Sequence, residues 1–464
     1  MLFSSIPFLY YFLPCVLFVY FIVPKAFKNA VLLISSLIFY AWGEPTYVIL
    51  MIITIAVGYG AGLLMERAKT KAQAKTVLIV SVGICLAFLG YFKYADFFIE
   101  NFSALTGLSI PALRLALPIG ISFYTFQIVS YIIDVYRRDV KARKNPVALA
   151  AYVTMFPQLI AGPIVRYSDI EKELDERTHS FEMAAAGIRR FVIGLSKKVL
   201  VANILGELCD VFKASNDTSV LFFWLYAIAF SLHLYFDFSG YSDMAIGLGK
   251  LFGFHFPENF NYPFISKSVA EFWRRWHMSL GTWFRDYVYI PMGGNRVKLP
   301  RWFLNTFTVW FLTGFWHGAG WNFIVWGLMF AVLLVLEKLW LKKWLDKLVG
   351  VRHIYVLFFI LISFVIFNAA DMGEAMRYIG SMLGFGGVPM VSAEFFYYLR
   401  SYGVILLVAA IGSTPIIKAG VNKLASKLPK LINTVEPIVL VVLTLLITAY
   451  LVDGSFNPFL YFRF

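Results

Sequence analysis

Cysteine is scarce in this chain: three residues in 464, Cys15, Cys85 and Cys209. Each sits in an apolar run, their number is odd and none belongs to a C-x-x-C pair, which excludes a disulfide framework and a thiolate metal site. Charge is scarce too, at 15% of residues, against about 25% in soluble domains. Acidic residues are the rarer sign, 27 against 41 basic. A chain that is 60% hydrophobic and 18% aromatic has too little polar surface to enclose a soluble core. No internal repeat, low-complexity tract or long polar linker appears, which argues against an inverted-repeat transporter. G-x-S-x-G, the P-loop and H-E-x-x-H are all missing, so a nucleophile elbow, a nucleotide cradle and a zinc protease site are excluded.

What is present is a series of apolar runs, about eleven of which approach the ~20 residues that cross a hydrocarbon core. An all-α, polytopic membrane protein is expected, in one domain spanning residues 1–464. The first run, residues 2–23, has no basic residue before it and no small-residue cleavage site after it, and reads as a retained segment.

The net charge of +14 could suggest a nucleic-acid partner, but its location rules that out. It concentrates in five short clusters: Lys25 and Lys28; residues 66–75; residues 137–144; residues 337–352; and Lys418, Lys423, Lys427 and Lys430. Each lies at the end of an apolar run, as the positive-inside rule requires, and no soluble segment could carry a nucleic-acid surface. Cytoplasmic placement of the clusters predicts crossings near 30–43, 46–65, 77–95, 112–136, 353–370, 401–417 and 434–452. Both termini are then extracytoplasmic. Residues 166–182, the strongly polar stretch, are expected to form a surface helix.

Between 235 and 327 the pattern departs from simple spans. Trp273, Trp276, Leu280, Trp283 and Tyr287 recur at helical spacing, predicting one helix that brings Arg274, His277, Gly281 and Arg285 together at i+3 and i+4 steps. So many charges cannot face lipid; they must pair, line water or lie at an interface. The following apolar run, residues 302–336, has 35 residues, too many for one crossing of about 20. Gly314, Gly318 and Gly320 fall at its centre, so the helix should break there and leave His317 at membrane depth. Irregular backbone at that depth must be enclosed by protein or line a cavity. Of the other histidines, His179 and His353 read as solvated or interfacial, His255 as a loop residue and His233 as hydrogen-bonded core. His277 and His317 are 40 positions apart with no third ligand beside them, so no metal is expected. Either could serve as a general base or acid, a role contributing typically ~10²–10⁴-fold.

These residues carry a resemblance. Tyr235-Phe236-Asp237-Phe238-Ser239-Gly240-Tyr241-Ser242-Asp243, then Pro257-Glu258-Asn259-Phe260-Asn261-Tyr262-Pro263, Arg275-Trp276-His277 through Arg285-Asp286-Tyr287, and Trp316-His317-Gly318 resemble a bacterial membrane-bound O-acyltransferase (MBOAT). They look most like the membrane subunit of alginate-type polysaccharide O-acetyltransferases. The resemblance implies a ring of tilted helices with re-entrant or interfacial pieces around a catalytic tunnel, its core at about 235–327. It implies His317 as catalytic residue and His277 as the second, with the split of roles open. Trp316, Arg274, Trp276, Arg285, Asp286, Asp237 and Tyr241 become candidates to line the tunnel. Acetyl-CoA would be the acyl donor, with no bound cofactor. A polysaccharide would be the acceptor, and an extracytoplasmic SGNH-type transferase would be the partner at the plasma membrane. Asn457 to Phe464 resembles a tail motif of the same group. Tyr461 there is either an aromatic interfacial anchor or an acyl relay. D-alanyl transfer from a carrier protein to teichoic acid is the alternative chemistry, and a transporter or flippase the alternative class.

Overall fold

A computed structural model describes residues 1–454 and 459–460. Among them helix is the regular secondary structure, and no strand is present. Among the described residues seven helices are long and apolar enough to cross a membrane: Val48–Arg67, Lys71–Thr106, Val220–Leu251, Trp321–Leu345, Val351–Asn368, Ala393–Gly412 and Pro429–Asp453. Helix is the spanning element such composition dictates, because it satisfies every backbone group internally where water is absent. Lys28–Ala41 and Ile121–Arg137 are shorter helices formed where crossings were expected. The crossing expected at 77–95 is part of a longer helix, Lys71–Thr106, which starts at a Thr70–Gln73 capping box and ends on left-handed Gly107. Asp96 lies inside this helix, and its Oδ1 accepts the Leu113 N–H at 2.6 Å. The stretch 166–182 is not one helix: Tyr167–Asp175 ends at Glu176 in extended backbone, and a new helix begins at Phe181.

The described chain forms two compact units, residues 1–191 with 244–257, and residues 192–243 with 258–464. In the first, Ile121–Arg137 is buried along nearly its whole length. Tyr131 accepts the Arg143 N–H on its hydroxyl at 2.9 Å, and the Arg143 guanidinium forks onto Asp175. In the second, an aromatic and aliphatic core draws on Phe212, Phe222, Tyr226, Phe230, Phe272, Trp326, Phe330 and Phe364. Buried inside this second unit is the Lys198 Nζ–Asp237 Oδ1 ion pair at 2.6 Å, with side chains 0% and 2% exposed. Lys198 stands on a π-helical turn, Lys197–Ala202, the kind of local widening that recurs at functional sites.

Candidate active site

The 35-residue apolar run folds as two antiparallel helices, Leu299–His317 and Trp321–Leu336. The break falls where the glycines are. Gly314 and Gly327 face each other so closely that a Cβ on Gly314 would collide with the Phe323 carbonyl oxygen, and one on Gly327 with the Trp310 carbonyl oxygen. Small residues permit this backbone approach between membrane helices. A Cβ on Gly318 would strike the Phe323 ring. Asn322 secures the far side of the turn by donating from Nδ2 to the Ala369 carbonyl at 3.0 Å. His317, the last residue of its helix, is buried with the edges of Trp326 and Phe367 against it, ring centroids 5.1 Å away in each case.

His277 is positioned by different means, and here the single helix expected over 273–287 is corrected. Val269–Trp273 is one short helix and Met278–Phe284 another, with His277 between them at φ +44°. A non-glycine residue held there costs of order 1–3 kcal/mol and persists when its surroundings over-determine it. Those surroundings are polar. The Glu337 carboxylate, from the helix after His317, accepts the Val269 and Ala270 N–H groups at 2.5 and 3.0 Å. The Asn261 N–H donates to the Arg275 carbonyl at 2.9 Å, and the Met278 N–H to the Asn259 carbonyl at 3.0 Å. The Asn259 side chain completes the set: its Oδ1 accepts from the Ser279 N–H at 3.3 Å and the Ser279 hydroxyl at 2.9 Å, while its Nδ2 donates to Ser242 Oγ at 3.0 Å.

That arrangement fixes the state of the imidazole. A backbone N–H can only donate, so the Asn259 atom facing Ser279 must be the oxygen. The same oxygen lies 3.1 Å from His277 Nδ1, so Nδ1 carries the hydrogen. In the neutral ring Nε2 then holds the lone pair. Nε2 is buried and has no hydrogen-bond partner among the described residues, and burial without an adjacent carboxylate favours the neutral ring. The Phe238 ring meets it edge-on at 4.7 Å. On another side the Trp316 ring lies 6.2 Å from the His277 ring and 4.9 Å from that of His317. One indole thus borders both histidines.

The other sequence candidates fall into separate places. Trp276 points into the core, stacked on Phe272 at 5.6 Å and against Phe364 at 5.1 Å. Arg274 and Arg285 are exposed, and Arg285 pairs with Asp286 at 2.7 Å. Asp237 and Tyr241 hold the chain end: Asp237 Oδ2 accepts the Leu460 N–H at 2.8 Å, and Tyr241 meets the Phe459 ring at 4.7 Å. Lys198 Nζ lies 4.7 Å from the centre of that same ring. Tyr461 lies outside the described residues. Sequence reasoning quoted Asn259 within the motif at 257–263 without giving it a role, and missed Ser279 and Lys198. The doublet Lys197-Lys198 inside an apolar stretch was a readable signal for the last of these.

An all-helical fold with repeated apolar spans is that of a multi-pass membrane protein, here with a buried imidazole lone pair inside it. The sequence pattern of MBOAT, the membrane-bound O-acyltransferase family, matches residues 138–370. The chain belongs to that family, and it is a multi-pass membrane O-acyltransferase. It is 42% identical over 392 residues to the probable alginate O-acetylase AlgI of Azotobacter vinelandii, covering 83% of this chain and 79% of that one. It is 34% identical over 427 residues to the peptidoglycan O-acetyltransferase of Helicobacter pylori, covering 84% and 81%. Similarity to the teichoic acid D-alanyltransferase of Bacillus subtilis, 33% over 241 residues, covers 49% of this chain and 60% of the other.

Proposed function

We propose that this O-acyltransferase takes an acetyl group from cytoplasmic acetyl-CoA and passes it across the membrane for O-acetylation of an extracellular or cell-wall polysaccharide. The observation that carries the reading is the His277 Nε2 lone pair, buried beside Trp316 and His317 with its tautomer set by Asn259. The acceptor hydroxyl oxygen attacks the thioester carbonyl while its proton moves to an imidazole nitrogen. The C–O bond forms, the C–S bond breaks, and the proton returns to the departing thiolate as free CoA thiol. His317 and His277 share this proton work, with Trp316 between them, and an oriented base contributes typically ~10²–10⁴-fold. Long matches to relatives named as an alginate O-acetylase and a peptidoglycan O-acetyltransferase support a polysaccharide acceptor and an acetyl group. The match to D-alanyltransferases covers about half the chain.

The reading places the protein in the plasma membrane as one domain, its catalytic core at about 235–327 and both termini extracytoplasmic. An extracytoplasmic SGNH-type transferase completes delivery to the polymer. Tyr461 follows the docked Phe459 and Leu460, so it acts either as interfacial anchor or as acyl relay. Tyr461→Phe, which removes only the hydroxyl, separates the two by whether polymer acetylation survives. The test of the whole reading uses purified protein in nanodiscs with acetyl-labelled acetyl-CoA. Release of CoA and loss of that release in His317→Ala are expected; full acyl transfer by His317→Ala would overturn the site assignment.

A further inference from the structure

Three basic side chains gather around one buried tyrosine in the first unit. Lys28 Nζ lies 4.1 Å above the Tyr20 ring and donates to the Tyr20 carbonyl at 2.8 Å. The Arg177 guanidinium carbon is 5.8 Å from the same ring and 4.7 Å from that of Phe254, with Nη2 donating to Asn29 Oδ1 at 2.6 Å. The Tyr20 hydroxyl gives its one hydrogen to the Phe252 carbonyl at 2.8 Å, so His179 Nε2, 3.1 Å from that oxygen, must donate to it. Lys25 adds a further positive charge nearby.

Several half-buried cations elsewhere in this molecule have carboxylates: Arg143 has Asp175, Arg166 has Asp169, Lys197 has Asp243 and Arg275 has Glu271. Here there is none. The carboxylate near Arg177 is Glu173, and both its oxygens are engaged by His255, Oε1 at Nδ1 (2.6 Å) and Oε2 at the backbone N–H (3.0 Å). No carboxylate is in ion-pair contact with Lys28, Arg177 or His179 among the described residues. Arg177 Nη1 is buried without a hydrogen-bond partner. Burial, then Lys28 and Arg177, hold His179 below its ordinary pKa, and burial, then Arg177 and Lys25, do the same to Lys28. Uncompensated like charges in a partly dry setting repel one another.

We propose that Lys28, Arg177 and His179 form a binding site for a phosphate-bearing anion. A guanidinium and an ammonium point charge, beside an imidazole whose second nitrogen a bound anion would favour protonating, together suit a multiply charged group of several oxygens better than a single carboxylate. The phosphate can come from either of two sources on the side to which the charge pattern assigns Lys25 and Lys28. One is the phosphates of a CoA donor, which rests on the proposed transfer reaction. The other is the headgroup of an anionic membrane lipid, which does not.

Two binding measurements on the full chain decide it, and neither requires turnover. Protein in phosphatidylcholine nanodiscs is titrated with CoA. Protein from mixed phosphatidylcholine and phosphatidylglycerol nanodiscs is examined by native mass spectrometry for retained lipid. The double variant Lys28→Gln, Arg177→Gln is expected to weaken CoA binding or phosphatidylglycerol retention by at least about tenfold, as loss of charge-assisted hydrogen bonds should. Weakened CoA binding assigns the donor, and lost lipid retention assigns the headgroup. Arg177→Lys serves as the charge-conserving control, and His179→Gln gives the same readout if the double variant fails to fold. Unchanged CoA binding and unchanged lipid retention in a folded variant overturn the proposal. CoA release by the unaltered protein, measured separately, tests the transfer reaction independently of both binding readouts.

Discussion

The two histidines that border Trp316 are held by opposite devices. His317 owes its place to local sequence: glycines end its helix, bring the two helices of the hairpin into backbone contact and leave the imidazole among Trp326 and Phe367. His277 owes its place to residues far along the chain. Asn259, 18 positions earlier, and Glu337, 60 positions later, hold a strained turn that the sequence around His277 would otherwise close into a helix. One residue is packed by apolar shape and the other oriented by hydrogen bonds. The difference teaches that the first can be disrupted by volume, the second by a single polar atom.

The largest effect on the first side should come from filling the hairpin. Gly327→Leu forces the two helices apart, and overpacking of this kind costs about 1–3 kcal/mol or more, so a sharp drop in thermal stability and recovered folded protein is expected. On the second side His277→Ala should lower CoA release about 10²–10⁴-fold with folding intact. Asn259→Ala should leave the imidazole present but unoriented, lowering turnover roughly 10–100-fold, by analogy with the loss of a partner that orients a metal-bound histidine. Asn259→Asp sharpens the contrast. A carboxylate facing Nδ1 stabilises the imidazolium, so the acidic limb of the pH–rate profile should move to higher pH and activity should recover on raising pH. Asn259→Ala should lower the whole profile without recovery.

The buried Lys198–Asp237 pair is a third case, polar but fully enclosed. Asp237→Asn keeps a carbonyl for the Leu460 N–H but leaves the Lys198 charge unopposed, which costs about 3–5 kcal/mol. Thermal unfolding and protease sensitivity of the C-terminal tail should both report it. The smallest effect belongs to the Arg143–Asp175 pair, whose carboxylate is exposed, and Asp175→Asn should change stability by no more than about 1 kcal/mol. Arg143 holds the Asp175 carboxyl below its ordinary pKa. The contribution is therefore present above the usual carboxylate range and fades as pH falls through the lowered value, which a pair of pH-dependent melting curves would show.

Much of this was legible beforehand. Residues 302–336 were too long for one span and carried three central glycines, so the break before Gly318 followed from length and side-chain volume alone. The Trp316-His317-Gly318 motif pointed to one side of the site. The turn at His277 was not legible, because Trp273, Trp276, Leu280 and Trp283 keep helical spacing across it. Apolar periodicity reports which residues face a core. It does not report a backbone held in a left-handed conformation by an amide side chain from another segment. The same periodicity placed Arg274 and Arg285 beside His277 on one helix; they stand instead on separate pieces, and both are exposed. The ion pair beneath the tail was hidden for a related reason, since nothing in a sequence links Lys198 to an aspartate 39 positions away.

The central claim is that His277 is a neutral base, hydrogen on Nδ1 and lone pair on Nε2. Histidine-selective 15N NMR of the protein in nanodiscs, with the His277 signals assigned by difference from His277→Gln, measures this directly. The account predicts a protonated Nδ1 and an unprotonated Nε2 at neutral pH, with that preference lost in Asn259→Ala. A proton on Nε2, or an imidazolium, in the unaltered protein would contradict it.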